Sequence, residues 1–474
     1  MSSVADMKVK AFLSLAAAVC AMSLQAGFKA GFARLDATPP PGIPMVGGNN
    51  LIMADGALDP LCVECIAVSD GKSTALIISV DDLHLSVEVL TRAADAIKAA
   101  TGLPREAMYI HSTHTHTGPM CWPWSNIDEK TKKLVRDHAY VRIAKLAQVS
   151  KLAIADMAGS RIAVGAARCP DVSYIRRFRL KNGLIATNVN PAGPDVVGPA
   201  GAADEMVRVI RFMREGRPDI AIVNFGTHPN CVSGTKYSAD WPGVVRNTFE
   251  SGIGGGVKCL FLNAAQGDVN HFPHKSTRGW REMRKRRPRV THFHIGRAVA
   301  GAAMTVWEVC EETPAGPVLA CIDNVKLPFH RATPEELKWL KLFDEGRRSE
   351  IPLGDYELSL ITHPNSLVRN HRTTPTFIHV PVTTLVLGKH LAFVGLPCEP
   401  FVNIGRRIKN NSPFGATVIT CLTNGNRGYL VDSETYSGGG YEMRKSFFGE
   451  AAGDVLISET VRSLKKRKSS LRQR

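Results

Sequence analysis

A mixed α/β fold follows from three features of the chain. Short β-branched runs alternate with helical stretches, the runs end in chemically useful polar residues, and no linker-like segment divides them. The runs 75–80, 107–110, 220–225, 257–262 and 391–395 are apolar, four to eight residues long and bounded by turn-forming or polar residues, as strands are. Between them, 87–100 has helical periodicity and stops at Gly102 and Pro104. The stretches 135–158, 241–250 and 294–309 share that periodicity. Alternation of this kind predicts mixed β-sheets with flanking helices in one large domain spanning 27–464.

Polar residues sit where such sheets collect their ligands, beyond the carboxyl ends of the strands. The first run leads into Asp81-Asp82 and the run at 220–225 into Thr227-His228-Pro229. The run at 257–262 leads into Asn263-Ala264-Ala265-Gln266-Gly267-Asp268, and the last into Pro397-Cys398-Glu399-Pro400. The densest segment is His111-Ser112-Thr113-His114-Thr115-His116-Thr117-Gly118-Pro119, directly after the run 107–110. If the strand continues, His114 and His116 share a face, because side chains two apart point the same way. Imidazole both ligates metals and titrates near neutrality, so this pair predicts a metal or proton-transfer site. One solvated and one hydrogen-bonded core histidine is the plainer alternative.

Composition bounds the rest. With 44% hydrophobic and 22% charged residues the chain has the make-up of a packed globular protein, not of a disordered one. Residues 1–26 read as a signal peptide, with Lys8 and Lys10 ahead of an apolar stretch too short to span a membrane, so export is expected. Ten cysteines follow Cys20 in scattered positions, and most are expected to be buried small hydrophobes, with one or two disulfides left open. Cys62 and Cys65 have no second pair with which to complete a four-thiolate zinc site.

The net charge of +16 is concentrated in 278–289 and in 465–474, the latter expected to be a disordered basic tail. No nucleic-acid-binding module accompanies these charges, which argues against nucleic acid as a partner. The internal cluster is read either as facing an anionic substrate or surface, or as a solvated loop. Asp240 is expected to cap a helix, with support of His228 as the alternative; Asp81 and Asp268 are expected to serve turns or to support ligands, and His271, His274, His292 and His294 to be solvated loop residues, with a secondary metal site as the alternative.

Taken in order, these strand-end segments, with Gly31-Phe32-Ala33-Arg34-Leu35-Asp36-Ala37-Thr38-Pro39-Pro40 and Pro44-Met45-Val46-Gly47 before them, resemble the catalytic region of the neutral/alkaline non-lysosomal ceramidases. The resemblance covers most of the chain after residue 26 and implies a zinc hydrolase that cleaves the amide of an N-acylated sphingoid base. Carried over, it puts the zinc ligands at His114, His228, Glu399 and Tyr429. It also puts His116 beside the metal as the proton-transfer group, Arg176 near the substrate amide with Arg177 as close competitor, and Tyr441 at the developing oxyanion.

The family's Gly-Asp-Val-Ser segment reads Gly267-Asp268-Val269-Asn270 here, which removes the nucleophilic hydroxyl and leaves Asn270 a hydrogen-bonding role at the oxyanion. The immunoglobulin-like domain of longer members is not expected. The sequence therefore predicts an exported zinc amidohydrolase acting on a lipid or glycan substrate, with peripheral contact to a membrane surface. Two other readings stay open: the same metal site working on a carbohydrate or acidic glycan, and a non-catalytic protein that binds polyanions.

Overall fold

The computed structural model describes residues 27–48, 51–272 and 291–471. The expected signal peptide and the basic segment 278–289 lie outside the described residues. The larger sheet is built from β1 (Lys29–Asp36), β2 (Cys62–Ser69), β3 (Thr74–Val80), β4 (Met108–Ser112), β5 (Ala158–Arg168), β6 (Met206–Arg214), β7 (Ile220–Phe225) and β8 (Lys258–Asn263). Their spatial order is β8-β7-β6-β5-β1-β2-β3-β4, and Glu311–Thr313 adds to β5. All neighbours are antiparallel except the outermost pairs, β3 with β4 and β7 with β8.

Parallel neighbours need a crossover, and each outer pair has a helix there. Helix α1 (Val87–Thr101) joins β3 to β4; α2 (Glu129–Ala155) follows β4, α3 (Asp240–Ile253) joins β7 to β8, and α4 (Thr291–Trp307) comes after β8. The sequence explains the ends of α1. Ser86 accepts from the amide of Val89 at its start, and Gly102 takes the left-handed conformation, φ 74°, that closes it on Lys98. A second sheet, β9 (Val318–Pro328), β10 (Phe377–Leu387), β11 (Leu391–Gly395) and β12 (Ala416–Thr420), ends in another parallel pair, joined by α5 (Val402–Asn411). Helix α6 (Ala452–Ser470) closes the chain.

Packing assigns the faces. Val89, Ile97 and Leu146 of α1 and α2 pack on Val63 and Ile78, while Phe249 and Val299 of α3 and α4 pack on Val209 and Val223. The inner faces of both halves, through Ile77, Phe212 and Ile222, meet Leu385 and Phe393 of the second sheet. Helices α5 and α6 cover that sheet's far side through Ile404 and Leu456. Every side chain of β7 is buried, as expected of a strand covered on both faces.

The carboxyl ends of the three parallel pairs are tied together. Ser79 donates to Phe261 O at 2.9 Å, and Asn224 Nδ2 donates to Leu262 O (2.9 Å) and Ile419 O (3.2 Å). His111 joins all three: its Nδ1 bonds Cys421 O and its Nε2 accepts from Asn263 N, both at 2.9 Å.

Some expectations need correction. The strand before the histidines stops at Ser112, so the shared face of one strand is not what joins His114 and His116. The helix expected over 135–158 begins at Glu129, where Asp128 caps it, and gives way to β5. Residues 465–470 are the last turns of α6 rather than a disordered tail, because Leu464 and Leu471 are buried and Arg467 pairs with Asp323 of β9 at 3.0 Å. All ten described cysteines are free thiols.

His111 makes a testable contribution to stability. Burial pushes its imidazole down to about 4, although the bond to the Cys421 carbonyl opposes this. An unfolded histidine titrates near 6.5. Between those values only the unfolded chain takes the proton, so stability falls as pH drops from about 6.5 to 4, by up to about 1.4 kcal/mol per pH unit for this group. Urea midpoints for His111→Gln should show a shallower pH dependence than wild type across that window; equal slopes would refute this assignment.

Candidate functional site

Beyond Ser112 the chain turns sharply, with His114 at φ 73°, a conformation held only where its surroundings enforce it. Thr113 N bonds Val80 O and His114 N bonds Asp82 O, both at 2.9 Å. Thr113 Oγ1 also donates to Asp81 Oδ1 at 3.1 Å, and Arg246 clamps that carboxylate from behind at 2.6 Å. His116 N bonds Pro229 O at 3.1 Å, so the loops after β4 and β7 are fixed to each other. The left-handed turn, rather than strand alternation, brings the two imidazoles together, with their Nε2 atoms 3.4 Å apart.

Each of the three imidazoles is oriented by a backbone carbonyl. His114 Nδ1 bonds Leu83 O at 2.8 Å, and His116 Nδ1 bonds Gly47 O at 2.7 Å. His228 Nδ1 lies 3.0 Å from Gln266 O and 3.1 Å from Val269 O. A carbonyl only accepts, so each Nδ1 carries the proton and each Nε2 presents a lone pair. The ligating atoms of His114, His116 and His228 all fall within 4.8 Å of one another.

Glu399 comes from the second sheet, just past β11. Its Oε2 stands 3.2 Å from His114 Nε2 and 3.4 Å from His228 Nε2, and it accepts from Gln266 Nε2 at 3.4 Å. Tyr429 is its partner in a short parallel bridge, which puts the two residues abreast.

The electrostatics match this geometry. Loss of water, then the neighbouring imidazoles, holds His116 well below 6.5. Burial and then the Arg176 guanidinium push His228 down to about 4. Burial and the Glu399 charge raise the Tyr429 phenol.

Arg176 and Arg177 separate here. Arg176 Nη1 is 3.3 Å from His228 Nε2, its Nη2 donates to Gly267 O at 2.8 Å, and its guanidinium lies 5.4 Å from the Tyr429 ring centre. Arg177 points away, donating to Thr435 Oγ1 at 2.8 Å and stacking over Phe401. Glu442 pairs with both, at 2.6 Å to Arg176 and 3.3 Å to Arg177. The Tyr441 and Tyr429 rings are 5.7 Å apart. Asn270 sits at the edge of this group: its Oδ1 is 3.5 Å from Arg176 Nη1, and its Nδ2 donates to Asn188 at 2.6 Å. A cavity of about 470 Å³ opens onto His114, His116, Glu399, Tyr429 and Tyr441.

Other residues differ from expectation. Asp240 is not a helix cap: at φ 55° it opens α3, and its carboxylate accepts from Cys231 N (2.8 Å) and Val232 N (2.9 Å), shaping the loop after His228. Asp268 accepts from Val402 N at 2.8 Å, anchoring α5. His271 is buried rather than solvated, and His274 lies outside the described residues. Glu442 and His84 belong to the site, yet no motif or periodicity marks them, whereas Gln266 lies in the strand-end segment that follows 257–262. The first two arrive by tertiary contact alone.

The class defined by fold and site is a mixed α/β protein with a buried imidazole–carboxylate cluster, compatible with a metal ion, at the convergence of parallel strand ends. No family model and no curated protein matches the sequence. Among solved structures, the fold matches neutral ceramidase from Pseudomonas aeruginosa with a TM-score of 0.69 at 17% identity, over 94% of this chain and 75% of that one. It also matches a ceramidase complexed with C2, with a TM-score of 0.65 at 16% identity, over 94% of this chain and 76% of that one. The fold is therefore that of the ceramidases.

Glu442 is the hinge of the arginine arrangement. Glu442→Gln leaves two buried guanidiniums without their shared carboxylate and should destabilise the protein by about 3–5 kcal/mol in urea unfolding. A loss below about 1 kcal/mol would show that Gly267 O, for Arg176, and Thr435 with the Gly439 carbonyl, for Arg177, suffice as partners.

Proposed function

We propose that this chain is a metal-dependent hydrolase of N-acyl amides. The observation that carries the proposal is the convergence of His114 and His228 on Glu399, whose Oε2 stands 3.2 and 3.4 Å from their Nε2 atoms, with the ligating atoms of His114, His116 and His228 within 4.8 Å of one another. Donors bound at 2.0–2.1 Å around a tetrahedral zinc ion stand about 3.3–3.4 Å apart, so the spacing of Glu399 from the two imidazoles fits that ion. His114, His228 and Glu399 would hold it, with Tyr429 beside Glu399 as the fourth donor. When bound, zinc supplies Lewis acidity toward a carbonyl oxygen and eases deprotonation of water.

The chain's own groups supply the remaining chemistry. His116 stays neutral at working pH, so its Nε2 is free to accept a proton from the attacking water and return it to the leaving amine. Arg176, fixed by Glu442 and Gly267 O, and Tyr441 across the cavity donate to the oxygen that gains charge. Asn270 helps hold Arg176 in place. With no hydroxyl at this position, attack by water rather than by a side chain is the consistent route. Two solved structures of this fold are ceramidases, which favours a lipid amide of the ceramide type. Export on residues 1–26 belongs to the same reading, and N-terminal sequencing of secreted protein should begin near Gly27.

Elemental analysis tests the centre. Wild type should hold about one equivalent of zinc and His228→Ala nearly none. A wild type that retains no divalent ion under non-chelating conditions would sink the proposal. His116→Ala separates the two roles open to that residue. Retained metal with kcat on an N-acyl sphingosine lowered about 10²–10⁴-fold marks proton transfer, whereas lost metal marks ligation.

A further inference from the structure

Residues 318–328 and 377–387 pair along the full length of β9 and β10, so the whole of 329–376 leaves the second sheet as one insertion at the end of a hairpin. Two helices, Pro334–Asp344 and Asp355–Thr362, give it a core of its own around Trp339, Leu342 and Ile361. Thr333 starts the first of them with a reciprocal capping box to Glu336. None of its described residues lines the cavity of the site, yet the insertion grips the segment that carries Tyr441 and Glu442.

That segment, Tyr441–Arg444, is a single helical turn. One turn cannot hold itself, because forming it fixes several residues for one hydrogen bond. The chain leading to it adds no stiffness: Gly439 and Gly440 sit at φ 75° and 89°, in the region that glycine visits freely. Side chains therefore set its aim. Successive helical residues point about 100° apart, and each of the four has a different destination. Glu442 takes Arg176 and Arg177, Met443 joins the core shared by the second sheet, α5 and α6, and Tyr441 faces the cavity.

Arg444 runs into the insertion and is buried there. Its Nη1 lies 3.4 Å from Glu336 Oε1, its Nε 3.2 Å from Glu357 Oε2, and its guanidinium 5.1 Å from the Trp339 ring centre. Glu336 is pinned in turn: its Oε2 accepts from Thr333 N at 2.9 Å and stands 3.3 Å from His330 Nε2. His330 Nδ1 meets the Tyr436 hydroxyl at 2.6 Å. The insertion thus holds the segment on both sides of the glycines, at Tyr436 before them and at Arg444 beyond Tyr441. A buried guanidinium between two carboxylates resists displacement, since any shift strands a charge.

We propose that Arg444 is the positioning residue for Tyr441, and that the insertion is the anchor through which it sets the tyrosine hydroxyl against the reacting carbonyl. The inference rests on the hydrolase reading above. Arg444 acts only through the helix, and a shift of about 1 Å at the hydroxyl is enough to cost on the order of 10²-fold in rate.

A double-mutant cycle with N-dodecanoylsphingosine as substrate tests this. Arg444→Met keeps an unbranched chain against Trp339 but loses the clamp. It should lower kcat about 10–100-fold, with KM within about threefold of wild type and zinc content unchanged. Arg444→Lys, which keeps the charge without the planar fork, should recover part of the loss. In a Tyr441→Phe background, Arg444→Met should cost less than about twofold more, because the group it positions is already gone. Equal losses with and without the tyrosine hydroxyl, or an unchanged kcat in Arg444→Met, overturn the inference.

If Arg444→Met does not fold, Glu357→Gln at the more exposed end of the clamp takes its place. A loss in kcat of about threefold or more that disappears in Tyr441→Phe supports the inference, and no loss or an undiminished one overturns it. If wild type does not cleave the substrate, the hydrolase reading is what fails, and hydrogen exchange then decides the role of Arg444. The amides of residues 444 and 445, bonded to Gly440 O and Tyr441 O, should exchange at least about tenfold faster in the variant while those of β4 keep their rates. Equal rates in variant and wild type overturn the inference.

Discussion

The structure depends on keeping three imidazoles pointed at one spot inside a protein. A free imidazole at a loop tip rotates. Those of His114, His116 and His228 do not, because a main-chain carbonyl fixes each Nδ1–H. The carbonyls belong to residues 83, 47 and 266, in three separate loops, so the cluster is only as firm as the agreement among those loops. That agreement comes from the parallel strand pairs, whose carboxyl ends are bound to one another through His111, Asn224 and Ser79.

Beneath the loops runs a line of buried charge. Asp81 pairs with Arg246, Arg246 with Glu64, Glu64 with Arg34, and Arg34 with Glu250 on α3. Such chains add little net stability over well-packed apolar residues, but breaking one link leaves a charge stranded. Here the chain reaches Thr113, next to His114, through the Asp81 carboxylate. Its physical effect is to penalise any movement of the left-handed turn that aims the imidazole. Glu442 plays the same part on the other wall, where a single carboxylate aims one arginine into the site and holds the next one out of it.

Much of this was legible in the chain. The strands at 220–225 and 391–395 appear as read, and β3, β4 and β8 differ by a residue or two at their ends, since apolar β-branched runs leave little choice of state. The histidines and Glu399 were visible because each follows such a run. The reason given for joining His114 to His116 was wrong, because local alternation cannot anticipate a left-handed residue imposed by Asp82 and Leu83. The preference for Arg176 over Arg177 came from the resemblance and not from any local pattern, since adjacent residues differ only in which way the backbone faces them.

The sequence alone determined the element types, the division into alternating strands and helices, and the residues able to bind or move protons, since those are local properties of side-chain shape and chemistry. Tertiary structure alone decided which of those residues meet. Contacts between positions 82 and 114, 228 and 266, or 176 and 442 span tens to hundreds of residues and leave no periodic trace.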